Sequence, residues 1–236
     1  MKASVAALLQ LPGVWRGGEL EHAEQPCIAT GHAALDAELP GGGWPTGTLT
    51  EVLHDGVGIG EVSFLAGALA RACDNNRLLV WVNAPHLPYA PALAQAGLPL
   101  ERCLVVRSPG REDALWAAEQ ALKSGACGAV LLWLGQESRT RRQDEYACLR
   151  RLQMSAQAGR CMAVHFRPTA AESLSSPAHL RVALSREQGA LRLRIPKRRG
   201  PPLVSPLVLS LPWQRARKQA VEGAPWRARA FELAGR

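Results

Sequence analysis

Apolar residues along this chain gather into short unbroken runs, separated by glycine-rich, polar or helix-periodic stretches. Residues 48–53, 78–82, 103–106, 129–134 and 161–166 are such runs, with the length and texture of strands buried on both faces. Helical patterns lie between them. Residues 62–72 read as a buried helix, 89–96 as a helix ended by Gly97, and 113–123 as a helix stopped by Ser124 and Gly125. A fourth helix runs from Thr140 to about residue 158. Thr140 and Gln143 form its capping box, Tyr146, Leu149, Leu152 and Ala156 its inner face, and Gly159 lies beyond its end. Strands alternating with helices predict right-handed βαβ units in an α/β fold with a doubly wound, mostly parallel sheet. The pattern then changes. Residues 180–184 and 190–195 alternate apolar and polar side chains around Glu187, Gln188 and Gly189, which predicts an antiparallel hairpin with one wet face. Residues 203–211 suit an edge strand, where Pro206 is tolerated. At the start, residues 3–11 suit a short amphipathic helix ended by Pro12. The division that follows is an N-terminal helix and linker over 1–27, a core over 28–211, and a basic, mobile tail over 212–236.

The junction between the first strand and its helix carries the first candidate chemistry. Strand, glycine-rich loop, helix is the layout of a phosphate-binding loop. Such a loop turns backbone N–H groups toward the phosphates, adds a lysine for the outer phosphates and a hydroxyl for magnesium. Here Asp55, Gly56, Gly58 and Gly60 supply the backbone plan, and Glu61 and Val62 follow where the lysine and hydroxyl belong. No Lys or Arg lies between Arg16 and Arg71. The loop is degenerate: an acid stands where a phosphate would arrive, a reversal of charge that matters by several kcal/mol at short range. The glycine spacing is not Gly-x-Gly-x-x-Gly, so a dinucleotide site is not implied.

Charge adds a second feature. The chain of 236 residues carries a formal charge of +8, unevenly spread. Residues 181–236 hold 13 Lys+Arg against 3 Asp+Glu, and residues 1–180 hold 15 against 17. A near-neutral body with a basic end points to a polyanion, nucleic acid first, with a solubilising tail as the plainer alternative. Alternation puts Arg192 and Arg194 on one strand face, and the following turn presents Lys197, Arg198 and Arg199 together as phosphate donors. Further on, Trp213, Arg215, Arg217, Lys218 and Trp226 interleave aromatic rings with cations, as base stacking or a protein groove requires. Arg139, Arg141 and Arg142 follow the fourth strand, at the carboxyl edge where doubly wound folds bind ligands.

Other chemistry is thinly represented. The six cysteines are scattered without Cys-x-x-Cys spacing, so they read as reduced thiols of a cytoplasmic protein rather than a zinc site. The six histidines have no metal spacing, and His165, inside a strand, reads as structural. No apolar run approaches the 18 or so residues of a membrane span.

The segment TGHAALDAELPGGGWPTGTLTEVL, followed by RLLVWVNAPHLPYAPALAQAGLPLERCLVV, resembles RecA from its Thr-Gly-x-x-x-Leu-Asp start through its third strand. Within that superfamily the chain is similar to the ImuA family of bacterial mutagenic translesion synthesis, whose members are also labelled SulA-like. The resemblance covers roughly residues 28–168 and implies a RecA-like core. RecA-type hydrolysis uses a loop lysine with its hydroxyl, an acid at the end of the fourth strand and a glutamate after the second. The matching positions here are Gly60 to Val62, Leu132 to Leu134, and Asn83 to His86, with Pro85 in place of the glutamate. The resemblance therefore implies a non-catalytic adaptor without cofactor, induced by DNA damage. Its implied partners are an ImuB-like relative of Y-family polymerases, an error-prone replicative-type DNA polymerase, RecA, and DNA through the basic end. A division inhibitor of the SulA type and a DNA-dependent ATPase or recombinase are the contrasting readings.

Overall fold

Strands here form where β-branched and large apolar residues run unbroken, and they assemble in the order that their connecting helices allow. The computed structural model describes residues 26–135, 142–187, 190–201 and 203–209. A small ribbon opens it, in which β1 (Cys27–Ile28) pairs antiparallel with β2 (Trp44–Pro45) around the short α1 (Ala33–Asp36). Then come β3 (Thr48–Leu53), α2 (Ala66–Ala72), β4 (Leu78–Val82), α3 (Ala90–Gln95), β5 (Cys103–Val106) and α4 (Arg111–Lys123). They are followed by β6 (Cys127–Trp133), α5 (Arg142–Gly159), β7 (Met162–Arg167), β8 (Leu180–Glu187), β9 (Ala190–Lys197) and β10 (Leu207–Leu209). The main sheet has eight strands in the order β10-β9-β8-β3-β7-β6-β4-β5. The six from β8 to β5 are parallel, β9 pairs antiparallel with β8, and β10 pairs antiparallel with β9. The fold is α/β with a mostly parallel sheet and an antiparallel C-terminal hairpin, as the alternation of patterns predicts.

The central parallel strands are covered on both faces, which is why they lack a polar side. Leu49, Val80, Val130 and Leu132 pack under α4 and α5, where Leu115, Leu122, Leu149 and Leu152 meet them. On the other face Val52, Leu79, Leu131 and Val164 pack against α2 and the segment before β3, through Leu35, Trp44, Phe64 and Leu69. Two glycines permit close approach. A Cβ on Gly128 would lie 1.7 Å from the Ala72 carbonyl oxygen, and one on Gly159 would lie 1.7 Å from that of Leu122. The side-chain Oε1 of Gln153 accepts the Leu49 N–H at 2.8 Å and the Thr48 hydroxyl at 2.9 Å, so α5 holds the start of β3.

Three details depart from the sequence expectation. Helix α2 begins at Ala66 rather than 62. The intervening residues form turns, with Leu65 N–H on Val62 O and Ala66 N–H on Ser63 O. The edge strand starts at Leu207 rather than 203, just after Pro206, which has no N–H to donate. The β1–β2 ribbon, two residues a side, carries no periodicity to read. The expected N-terminal helix, the capping box at Thr140 and the C-terminal tail lie outside the described residues.

Candidate functional site

The carboxyl edge of β3 feeds the degenerate loop, and its polar side chains, His54, Asp55 and Glu61, are engaged internally. His54 N–H extends the β3–β7 ladder onto Arg167 O at 2.9 Å. The Asp55 carboxylate accepts the Thr169 N–H at 3.1 Å and also its hydroxyl. These bonds from Thr169 hold the Asp55 carboxyl below its usual range. His54 Nδ1 lies 2.8 Å from Gly56 O, and its ring stands edge-on to Phe166 at 5.8 Å. Gly56, Gly58 and Gly60 have φ of 77°, 76° and 104°, values that only glycine adopts without strain. Val57 and Ile59 between them keep ordinary negative φ. Such alternation turns successive amides to one side, the arrangement of an anion-binding nest.

The anion in that nest belongs to the chain. Glu61 folds back so that Oε1 accepts the Gly58 N–H at 3.2 Å and Oε2 accepts the Gly60 N–H at 3.1 Å. The residue is 8% exposed. Arg71, the first cation after the loop, turns instead to Gly67 O at 2.8 Å and Ala29 O at 3.3 Å.

At the neighbouring strand ends the residues are likewise structural in their contacts. Asn83 sits at φ 51° and clamps Ser108 from β4 across to the end of β5: its Oδ1 accepts the Ser108 N–H at 2.8 Å and its Nδ2 donates to Ser108 O at 3.2 Å. Trp133, at the end of β6, stacks on Phe166 at 4.3 Å and on Trp81 at 6.1 Å. The edge where a RecA-type enzyme would need an acid is an aromatic row.

A buried charge network under α5 escaped sequence reading. Glu51, in the middle of β3, is fully buried. Its Oε1 meets Arg167 Nη1 of β7 at 2.5 Å, and its Oε2 pairs with Arg181 Nε of β8 at 2.6 Å. Arg167 also pairs with Glu145 of α5. Arg181 spends its other donors on the carbonyls of Ala171 at 2.6 Å, Glu172 at 3.0 Å and Leu174 at 3.2 Å. Two carboxylates and two guanidinium groups balance. The available signal was a charged residue among the buried positions of each of three strands, Glu51, Arg167 and Arg181. His165 stands beside Glu51 in register, fully buried, with Nδ1 unpartnered. Burial, with the nearby Arg167 and Arg111 charges, pushes its pKa well below the ordinary histidine value, so the ring is neutral. A cavity of about 280 Å³ opens beside this network between Glu145, Tyr146, Ser173, Leu174 and Ser175.

The basic candidates of the hairpin are spread rather than gathered. Arg192 and Arg194 do share the wet face of β9. Arg192 pairs with Glu187 at 2.6 Å, and Arg194 forks onto Glu172 at 3.0 and 2.7 Å. The turn does not present 197–199 as one cluster. Lys197 Nζ donates to Ser176 O at 2.8 Å, while Arg198 is folded inward onto Glu38 at 2.9 Å and Pro201 O at 2.6 Å, leaving its side chain 5% exposed. Arg199 lines a small crevice with Leu39 and His179. Arg142 opens α5, and Arg139, Arg141, Trp213, Arg215, Arg217, Lys218 and Trp226 lie outside the described residues. All six cysteines are free. Among the described residues no helix is long and apolar enough to cross a membrane.

Comparison with known proteins gives two consistent directions. The family model of the cell division inhibitor SulA matches residues 49–163, from β3 into β7. The cell division inhibitor SulA of Edwardsiella piscicida is 32% identical over 95 residues, 40% of this chain and 52% of that protein. Protein RecA of Cutibacterium acnes is 27% identical over 137 residues, 56% of this chain and 39% of that protein. Protein RecA of Chlorobaculum tepidum is 31% identical over 106 residues, 44% and 30% respectively. The chain thus spans about half the length, or less, of the curated relatives it matches. Over its parallel core it is a SulA-like and RecA-like sequence.

Proposed function

We propose that this protein acts in the DNA-damage response as a non-catalytic, RecA-like adaptor of mutagenic translesion synthesis. Its partners on this reading are an ImuB-like relative of Y-family polymerases, an error-prone replicative-type DNA polymerase and RecA, with DNA engaged through the basic end. The observation that carries the reading is the Glu61 carboxylate seated on the amides of Gly58 and Gly60. An ATPase needs those amides for phosphate and a cation beside them. Here an anion already holds them, and a second one would arrive against like charge. Similarity to RecA supports the fold's link to DNA metabolism, and the lost loop chemistry supports an adaptor over a recombinase.

The test has two arms. Purified protein should neither retain ATP nor hydrolyse it above background, with or without DNA and magnesium. Turnover abolished by changing residues 54–62 would overturn the reading. Affinity capture from cells after DNA damage should then return polymerase components. A second reading, inhibition of cell division, is favoured by the SulA match over residues 49–163. Capture of a division protein without polymerase components would decide for it.

A further inference from the structure

Glu61 has the partners of a bound ligand rather than of a surface acid. The residue is nine-tenths buried, and its carboxylate is met by two backbone amides instead of a cation. An unsolvated carboxylate is too costly to bury, so these amides serve as its solvent. Gly58 is exposed and Gly60 half-buried, so without the carboxylate their amides would face an incoming acceptor from solution. The two amides belong to Gly58 and Gly60, well before α2 begins at Ala66, so the seat is built by the loop itself. Its walls are fixed from outside the seat. Thr169 holds Asp55, and His54 holds Gly56. The geometry is therefore that of an anion nest in its filled state, with the filling covalently attached.

We propose that this loop is a competent oxyanion site whose resident ligand is the chain's own Glu61. Removal of that carboxylate opens the site to a free tetrahedral oxyanion of the inorganic phosphate class. The proposal rests on the reading of the loop as closed to nucleotide, and it specifies how it is closed. In the unaltered protein the loop stays in its ligand-bound form in every nucleotide state. Its outer face, including the half-exposed Val57, is then presented to partners without gating.

Full-length wild type, Glu61→Ala and Glu61→Gln would be melted in sodium phosphate and in sodium chloride of equal ionic strength. Wild type serves as the control for the general stabilising effect of phosphate. Both variants should melt lower than wild type in chloride. Phosphate should raise their Tm saturably, by about 2–4 °C for each kcal/mol of binding free energy, beyond any rise in wild type. Titration of inorganic phosphate should move the Gly58 and Gly60 amide resonances of Glu61→Gln, which keeps the shape of the side chain and loses its charge. Folded variants that melt like wild type, or that show no phosphate-specific rise and no movement of those amides, would overturn the proposal. Saturable phosphate shifts at Gly58 and Gly60 in the unaltered protein would instead overturn the nucleotide-free reading on which it rests.

Discussion

Glu51 and His165 face the same interior and solve the burial problem in opposite ways. Glu51 sits between Arg167 and Arg181, with Glu145 completing the balance. Replacing it by Leu would leave two buried guanidinium groups with one carboxylate, Glu145, which pairs with Arg167. Breaking a buried pair from one side typically costs about 3–5 kcal/mol, so Glu51→Leu should lower the denaturation midpoint by that equivalent. A shift under about 1 kcal/mol would show that the arginines find other partners. His165 stays neutral instead. Its pKa is lowered by burial, so the unfolded chain binds the proton more readily than the folded one. Stability should be full above the ordinary value of 6.5 and fall as pH drops below it. The slope is up to about 1.4 kcal/mol per pH unit. Thermal melts between pH 4.5 and 7 would show it, and His165→Leu should flatten the curve; an unchanged slope in that variant would assign the effect elsewhere. The sequence shows both residues as polar interruptions of apolar strands. It does not show their partners, because strand order, which brings Arg167 and Arg181 to either side of Glu51, is not written in spacing. Glu61 is similar: its identity was legible as a broken motif, whereas its return onto Gly58 and Gly60 depends on three positive φ angles.

At the scale of elements, the buried parallel strands were the most legible features, because both faces are covered and most of their residues are apolar. What resists reading is where elements touch. Gly128, the second residue of β6, sits against the last turn of α2, so close that a Cβ would meet the Ala72 carbonyl oxygen at 1.7 Å. Its φ is ordinary, so the requirement is space and not backbone conformation. Gly128→Ala must push α2 outward from Leu79 and Leu131, an overpacking strain of about 1–3 kcal/mol. Urea denaturation should show a lower midpoint at unchanged slope, and wild-type stability would mean that α2 yields freely. A start four residues late for α2 has the same kind of cause. Residues 62–65 are helical in composition, but Glu61 is held back by the loop, and the chain makes turns with Phe64 set against Trp44 before a helix can start. The wet face of β9 was legible from alternation, yet its acids, Glu172 and Glu187, come from the connection before β8 and the turn end of β8.

Across the whole molecule, the excess positive charge lies at one end of the chain, and the fold divides that end into two kinds of residue. Arg198 is an internal strut, holding the turn after β9 to Glu38 near α1. Its replacement by Ala should lower Tm, and any loss of DNA binding in that variant would be confounded with loss of structure. Arg192 and Arg194 are about half exposed and pair with exposed or part-exposed acids, interactions worth little that a phosphate can displace. Replacing both by Ala should leave Tm nearly unchanged. If both touch phosphate, the dependence of log affinity on log salt should weaken by up to about 2, because each lost contact removes about 0.9 of released counterion. The loss should be uniform across DNA sequences, since lone charges do not read base edges. Deleting residues 213–236 removes Trp213, Trp226 and six cations. The segment has little apolar periodicity, so the melting temperature should hold while capture of a polymerase partner weakens. DNA binding lost only in the double variant places DNA on the hairpin face, and partner capture lost only in the truncation makes the tail a docking arm. Full DNA and partner binding in both variants would reduce the basic end to a solubilising segment and remove DNA from the proposed function.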